Sequence, residues 1–495
     1  MSSHISLRRT GVVVFGARIG SIFTGLAFLV MMTRSLSAQQ FGLYEVITDI
    51  VTFAAYPAGL IAFWATRDIA RGKMFGKTAL LLNMVLSALG IVIYVGLAYF
   101  SASRIQSASL VDLIFAVLLV PVAYLNQAAN AVVAGHRPIV LGYAVIFSEA
   151  SKLAVAFPLL VVFKVGIDGA IIAVMAANLA QSIASVALAG DSMSSPVSRD
   201  QGRKWLTHSW LPMLTTLPLM VGVADTFVAS LAASDTTLVG HYQAAFSVAT
   251  LAGYSLYLAS AMYPLLLRGG RDDITAMTLD LALAFGIPMV VGASVLANPI
   301  LHLLNPVYAD ASAALAILAV AALFITVASV FDQILLGRDR VDVNEDAKFG
   351  DYLKSHILFV AKVNIALSVV YLVLVYASVA AGLAFGLSRT ETIELWGVCQ
   401  LLVFVASIGL KVRRVRSVGK IAVPRSIGNY VAGGAIMAVM LYVLGPLISY
   451  GHGTFYLAFE VLVVGGAGVC VYGAFVLAVD RTLREFLRRA FREGF

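Results

Sequence analysis

The sequence predicts an all-α polytopic membrane protein of about 14 transmembrane helices, built as two pseudo-symmetric six-helix lobes followed by two further helices. Two observations predict it. Of the 495 residues, 60% are hydrophobic and only 12% are charged, with a mean hydropathy of +0.93, whereas soluble domains carry about 25% charged residues. The second observation is that basic residues fall almost entirely in every second gap between long apolar stretches.

These stretches run at 11–33, 42–66, 78–100, 110–134, 139–163, 167–189, 207–231, 238–264, 277–300, 311–336, 357–387, 391–410, 427–449 and 455–479. Each approaches or exceeds the ~20 apolar residues that a helix needs to cross ~30 Å of hydrocarbon. Alternate gaps, counted from the N-terminus, hold Arg8, Arg9; Arg67, Arg71, Lys73, Lys77; Arg137; Arg199, Arg203, Lys204; and Arg268, Arg271. The same set continues with Arg338, Arg340, Lys348, Lys354; Lys411, Arg413, Arg414, Arg416, Lys420, Arg425; and Arg481, Arg484, Arg488, Arg489, Arg492. That is 27 of the 34 Lys and Arg residues. The opposite gaps hold Arg34, Arg104, Lys164 and Arg389, and Arg18, Lys152 and Lys362 lie within spans. Cytoplasmic loops carry the basic excess, so both termini are expected on the cytoplasmic side of the cell membrane. One missed or spurious span would scramble the alternation.

Topology therefore accounts for the net charge of +8, and no nucleic-acid partner is expected. The longest stretch outside the spans, 337–356, is too short for a folded domain, which needs at least ~50 residues. No soluble catalytic module fits, so the chemistry belongs to the helices. Cys399 and Cys470 fall in apolar spans and give neither a disulfide nor a metal framework. No catalytic residue, metal or cofactor is expected. The basic start Met1–Thr10 leads directly into a span longer than a signal-peptide core, and it reads as retained.

The polar stretch Gly190–Lys204 separates the two halves. Phe41-Gly42-Leu43-Tyr44 and Val239-Gly240-His241-Tyr242 each open an even-numbered span, at an offset equal to that between Met1 and Arg199. This echo and the equal span counts predict repeats related by an axis along the membrane normal. The expected division is an N-terminal lobe at 1–198, a C-terminal lobe at 199–418, and the last two spans with a basic tail at 419–495. Two motif lookalikes fail. Gly72-Lys73-Met74-Phe75-Gly76-Lys77-Thr78 has its first glycine one residue too close for a phosphate loop, and it does not follow a strand. Asp342-x-Asn344-x-Asp346 has Ala347 at the turn glycine and Leu353 at the bidentate Glu of a calcium loop.

A charge near mid-bilayer costs several kcal/mol and needs an interior or aqueous location. Arg18 lies two turns into the first span, between Gly16 and Gly20, with no acid one turn away on its own helix. This places it toward an aqueous cavity, while Gly16-x-x-x-Gly20 alone would signal close helix packing. Glu45 and Asp49 share a face of the second span. Glu149 and Lys152 stand three residues apart and can neutralise one another. Asp225 lies in the seventh span, Lys362 is near enough to an interface to snorkel, and His208 and His241 read as interfacial. Asn126, Gln127 and Asn130 line the fourth span. Asp49, Glu149 and Asp225 are the candidates for carrying a coupling proton or sodium ion.

Arg34-Ser-Leu-Ser-Ala-Gln-Gln-Phe41-Gly42-Leu43-Tyr44, the Pro57-Ala58-Gly59-Leu60 turn and Trp64-Ala-Thr-Arg67-Asp-Ile-Ala-Arg71 resemble the opening of oligosaccharide flippases in the multidrug/oligosaccharidyl-lipid/polysaccharide exporter superfamily. Gly337-Arg-Asp-Arg-Val-Asp342 with Lys354-Ser355 is similar to archaeal members. The motifs occupy mainly the first 75 residues. The resemblance implies two lobes in a V around a central cavity, alternating access, and cavity cations that attract the phosphate of a polyprenyl-linked sugar. Carried over by position, it assigns substrate binding to Arg18, Arg34 and Arg67, with Lys152, Asn126 and Asn130 as further candidates. Spans seven and eight carry few basic residues, which departs from a symmetric cationic cavity. The implied partners are a polyprenyl (phospho)phosphate-linked glycan, the lipid bilayer and a proton or sodium ion, for a chain acting as a monomer.

An arginine offers permanent, bidentate pairing to a pyrophosphate that could not cross hydrocarbon unpaired. With no ATP site, the energy must come from an ion gradient, the membrane potential or consumption of product. Two alternatives stand beside the flippase. A cation-coupled multidrug exporter of the same superfamily would favour acidic and aromatic pocket residues and twelve helices. A membrane-embedded glycosyltransferase or ligase would need a larger outer loop than any present.

Overall fold

The computed structural model describes residues 7–256, 272–338, 355–416, 426–451, 453–481 and 483–485, with backbone alone for 7–15, 18, 19, 211, 214, 215, 218, 219, 272–275 and 338. Arg268, Arg271, Arg340, Lys348, Lys354, Lys420, Arg425, Arg488, Arg489 and Arg492 lie outside the described residues, as do the 342–346 segment and the end of the eighth expected span. Among the described residues there are helices and turns and no strand. Eleven helices among the described residues are long and apolar enough to cross a membrane, and Gly20–Ser35 and Met220–Ala233 are shorter apolar helices. The chain is thus a multi-pass membrane protein.

The chain divides into two compact units, Met1–Gly240 and His241–Gly494. The lobe boundary expected at 198–199 concerns internal repetition rather than compactness. The first unit holds α1 (Leu7–Ser35), α2 (Ala38–Ala70), α3 (Gly76–Arg104), α4 (Leu110–Phe115) continuing as α5 (Leu119–His136), α6 (Ile139–Ala156) and α7 (Ile167–Ala187). It continues with α8 (Arg199–Thr207), α9 (Trp210–Gly222), α10 (Asp225–Ala233) and the start of α11 (Thr237–Ala249). The second unit holds α12 (Asp272–Val295), α13 (Ala297–Leu304), α14 (Ser312–Arg338), α15 (His356–Ala384), α16 (Arg389–Arg416), α17 (Ile427–Leu444) and α18 (Thr454–Val479).

Local chemistry fixes several boundaries. Ser37 and Gln40 exchange side-chain and backbone hydrogen bonds at the start of α2, a reciprocal cap that satisfies two otherwise orphaned donors. The seventh span, expected as one helix over 207–231, is instead broken between Gly222 and Asp225. The Asp225 Oδ1 accepts the Thr226 N–H at 3.0 Å, which satisfies one of the backbone donors left open in the first turn of the new helix.

In the first unit α2 packs along α3 and α5, α5 along α3 and α7, and α6 along α1 and α7. Its core gathers Ile47, Ile50, Ala54, Tyr94 and Tyr124. The two tyrosines place their hydroxyls on backbone carbonyls, Tyr124 on Ala54 at 2.9 Å and Tyr94 on Leu113 at 2.8 Å, which is what buried phenols require. In the second unit α14 packs along α12 and α16, α16 along α15, and the α17–α18 pair rests on α12. Neighbour relations repeat. Spans 3–4, 4–6 and 5–6 are in contact in the first half, and spans 9–10, 10–12 and 11–12 are in contact in the second.

The echoed Gly-x-Tyr motifs meet one another. A Cβ on Gly42 would lie 1.9 Å from the Thr236 carbonyl oxygen and 2.9 Å from the Gly240 nitrogen, and one on Gly240 would lie 2.0 Å from the Ala38 oxygen. Only glycine lets the starts of α2 and α11 touch backbone to backbone. Thr236 seals the contact by donating its hydroxyl to Gln39 O at 2.8 Å, while its N–H reaches Ser107 Oγ at 2.8 Å.

Candidate functional site: polar groups among the helices of the first unit

The break in the seventh span brings two of the expected ion-coupling residues together. Asp49 on α2 and Asp225 at the first residue of α10 are 6% and 9% exposed. The Asp49 Oδ2 accepts the Thr226 hydroxyl and, at 3.3 Å, the Phe227 N–H. It therefore sits against the N-terminal turn of α10, where backbone donors and the helix dipole favour negative charge. Glu45, one turn earlier on α2, is close enough to interact electrostatically with both aspartates. Three carboxyl groups thus share one small volume between two helices. Like charges with little water between them repel, and a proton or a cation relieves that repulsion. Among the described residues no group of three or more His, Cys, Asp or Glu is arranged to hold a metal ion.

A second polar set joins α1 to α6. Lys152 Nζ lies 2.8 Å from Glu149, with both side chains 16–17% exposed, and Thr24 on α1 donates its hydroxyl to Glu149. The Lys152 ammonium also lies 5.4 Å from the Phe28 ring centroid. The two candidates therefore neutralise one another, and the pair links two helices.

A third set forms a ladder between α5 and α7. Asn126 donates to Asn178 O at 3.1 Å, Asn130 donates to Asn126 Oδ1 at 2.7 Å, and Gln181 and Ser185 both donate to Asn130 Oδ1 at 3.3 Å. Both asparagines are engaged in holding helices together. Arg34 and Arg67 are exposed in the last turns of α1 and α2, where a cation complements the helix dipole. The Arg67 guanidinium stacks 4.1 Å from the Phe63 ring centroid.

Arg18 falls in α1, and its side chain lies outside the described residues. The backbone around it is informative. A Cβ on Gly16 or on Gly20 would meet nothing within 4 Å, so this glycine pair is not a helix-packing seam. It borders open space.

Two features escaped the sequence reading. Asp68, inside the Arg67–Arg71 motif, accepts from Lys73 Nζ at 2.7 Å, Gln201 Nε2 at 2.6 Å and Trp205 Nε1 at 2.8 Å, and so fastens α8 to the end of α2. In the second unit, Lys411 Nζ lies 2.7 Å from Asp332 Oδ2, with the lysine side chain 3% exposed. Asn364 donates to the same oxygen at 3.2 Å. Lys411 belongs to α16, not to the loop in which the sequence placed it. Its separation from Asp332 along the chain leaves no local signal of pairing.

No family model and no curated protein matches this sequence. Solved structures do. A lipid II flippase, MurJ, in an inward closed conformation superposes with a TM-score of 0.68 at 15% identity, covering 96% of this chain and 99% of that one. A multidrug resistance MATE family transporter of the MOP superfamily in an inward-facing conformation gives 0.58 at 16% identity, covering 80% and 94%. An outward-facing conformation gives 0.52 at 15% identity, covering 83% and 96%. The chain therefore has the fold that these flippases and transporters share.

Proposed function

We propose that this protein flips a polyprenyl-phosphate-linked oligosaccharide from the cytoplasmic to the outer leaflet by alternating access, supplying cell-surface polysaccharide or glycoprotein biosynthesis. The observation that carries the reading is end-to-end agreement of fold with a lipid flippase over 96% of the chain, where the two multidrug transporters leave a larger part unmatched. The alternation of basic residues supports cytoplasmic termini. The depth of Arg18 in the first span, with no acid one turn away on its own helix, supports it as the group that pairs with the substrate phosphate, with Arg34 and Arg67 as exposed cations at helix ends. Asn126 and Asn130 act by holding α5 to α7, and Lys152 by holding α6 to α1, as much as by touching substrate. Coupling to a proton or sodium ion falls to Asp49 and Asp225 rather than to Glu149, whose charge Lys152 already meets.

Arg18→Ala, Lys and Gln variants test the assignment, with membrane abundance and glycan flipping measured together. Arg18→Ala should retain abundance and lose flipping by roughly 2–5 kcal/mol of pairing, and Arg18→Lys, keeping charge without the planar fork, should be intermediate. Normal flipping by a well-expressed Arg18→Ala would remove Arg18 from the substrate path. A structural arginine would show the reverse pattern, with low abundance in Ala restored in Gln.

One observation favours a second reading, a cation-coupled multidrug exporter. The grouping of Glu45, Asp49 and Asp225 suits a pocket that takes cations. Cells lacking the protein separate the two readings. Lipid-linked glycan held on the cytoplasmic leaflet without cationic-drug sensitivity supports the flippase, and the opposite pair of outcomes supports the exporter.

A further inference from the structure

A second acidic site lies where the α17–α18 pair rests on α12, and it is independent of the transport reading. Tyr430 of α17 is fully buried, and its hydroxyl lies 2.9 Å from Asp280 Oδ2 and 3.0 Å from Asp480 Oδ2. A phenol has one hydrogen, so it donates to one carboxylate only. The two carboxylates are not equivalent. Asp480 Oδ1 has a second donor, the Leu483 N–H at 3.1 Å. Asp280 is 8% exposed, and its Oδ1 is buried with no hydrogen-bond partner. An ionised carboxylate with one oxygen unpartnered in apolar surroundings bears its desolvation cost uncompensated, and a neutral acid does not.

We propose that Asp280, Tyr430 and Asp480 form a proton-binding site in which Asp280 is held as the neutral carboxylic acid. The acid hydrogen on Asp280 Oδ2 is donated to the Tyr430 oxygen, and the Tyr430 hydrogen is donated to Asp480, whose charge is shared with the Leu483 N–H. The chain of hydrogens runs in one direction and leaves no lone pair facing another. Among the described residues, three polar groups stand close by. The Ser426 side chain lies close enough to Asp280 to hydrogen-bond it, Tyr472 donates to Ala284 O at 2.8 Å, and Arg484 Nη2 donates to Ala478 O at 2.7 Å. Among the described residues no cation pairs with Asp280 or Asp480, so the proton takes that place and fastens α12 to α17 and to the end of α18.

Infrared difference spectra of the purified full-length chain at neutral pH test this. Wild type minus D280N should contain the C=O stretch of about one carboxylic acid per chain. Wild type minus D480N should show that band shifted rather than lost, because Asp280 Oδ1 still has no partner and the acid stays neutral while the Tyr430 hydrogen changes acceptor. If D280N does not purify as a folded, monodisperse species, the shift in D480N decides instead. Retention of the full acid band in folded D280N, or an unmoved band in folded D480N, overturns the proposal. Wild-type spectra in sodium chloride and in choline chloride should agree, and a band abolished by sodium would show a sodium site instead of a proton site.

Discussion

The α2–α10 contact and the α14–α16 contact both bury acids inside membrane helices, and they solve the cost of burial in opposite ways. Asp332 has a cation of its own, Lys411 at 2.7 Å, supported by Asn364. Among the described residues, Asp49 has hydroxyl and backbone donors, and Glu45 and Asp225 stand near it as like charges. A pair that is neutral within itself has nothing to exchange and acts as a fastening. Asp49, met among the described residues by neutral donors and by like charge, is suited to follow an ion gradient. The Glu149–Lys152 pair sits between these extremes, internally neutral but half-buried.

Three substitutions grade this comparison. The largest loss is expected for Lys411→Met. It strands Asp332 without its cation, and breaking a buried pair from one side costs about 3–5 kcal/mol. Thermal melting of the purified protein should fall sharply, and adding Asp332→Asn should recover part of the loss. If Lys411→Met melts as wild type, the pair is not a fastening. Lys152→Met should cost less, about 1–2 kcal/mol, because the site is partly open and Thr24 still donates to Glu149. A melting shift as large as that of Lys411→Met would place this pair among the buried fastenings. The smallest stability change, under about 1 kcal/mol, is expected for Asp49→Asn, which keeps a polar group beside Thr226 and removes one like charge. Its effect should appear in transport. Flipping measured with and without an imposed proton or sodium gradient should become insensitive to the gradient. Unchanged gradient dependence would exclude Asp49 from coupling.

These contrasts also show what the sequence could reveal. Hydropathy and loop charge are local properties, so among the described residues the order of the spans was readable, and most of their limits to within a turn or two, including the pair now seen as α17 and α18. Asn126 and Asn130 were readable as one face, because residues four apart on a helix must share one. Their partners Gln181 and Ser185 were not, because helix pairing follows from packing rather than from spacing. The interruption at Gly222–Asp225 was hidden by apolar residues on both sides. Lys411 looked like one more cytoplasmic cation because a run of basic residues follows it. Asp68 sat inside a recognised motif, yet its role depends on Gln201 and Trp205, more than a hundred residues away. The Gly42 and Gly240 echo was visible as a repeat, but its meaning as a backbone contact required the fold.

The most direct test of the transport reading is flipping itself. The purified protein would be placed in vesicles carrying a polyprenyl-phosphate-linked oligosaccharide, and the fraction of glycan reachable by a membrane-impermeant glycosidase would be followed with time. Wild type should expose the full pool of glycan, while protein-free vesicles and Arg18→Ala vesicles should plateau at the outer-leaflet share. Equal plateaus for wild type and protein-free vesicles would contradict the assignment of this chain as a flippase of lipid-linked glycans.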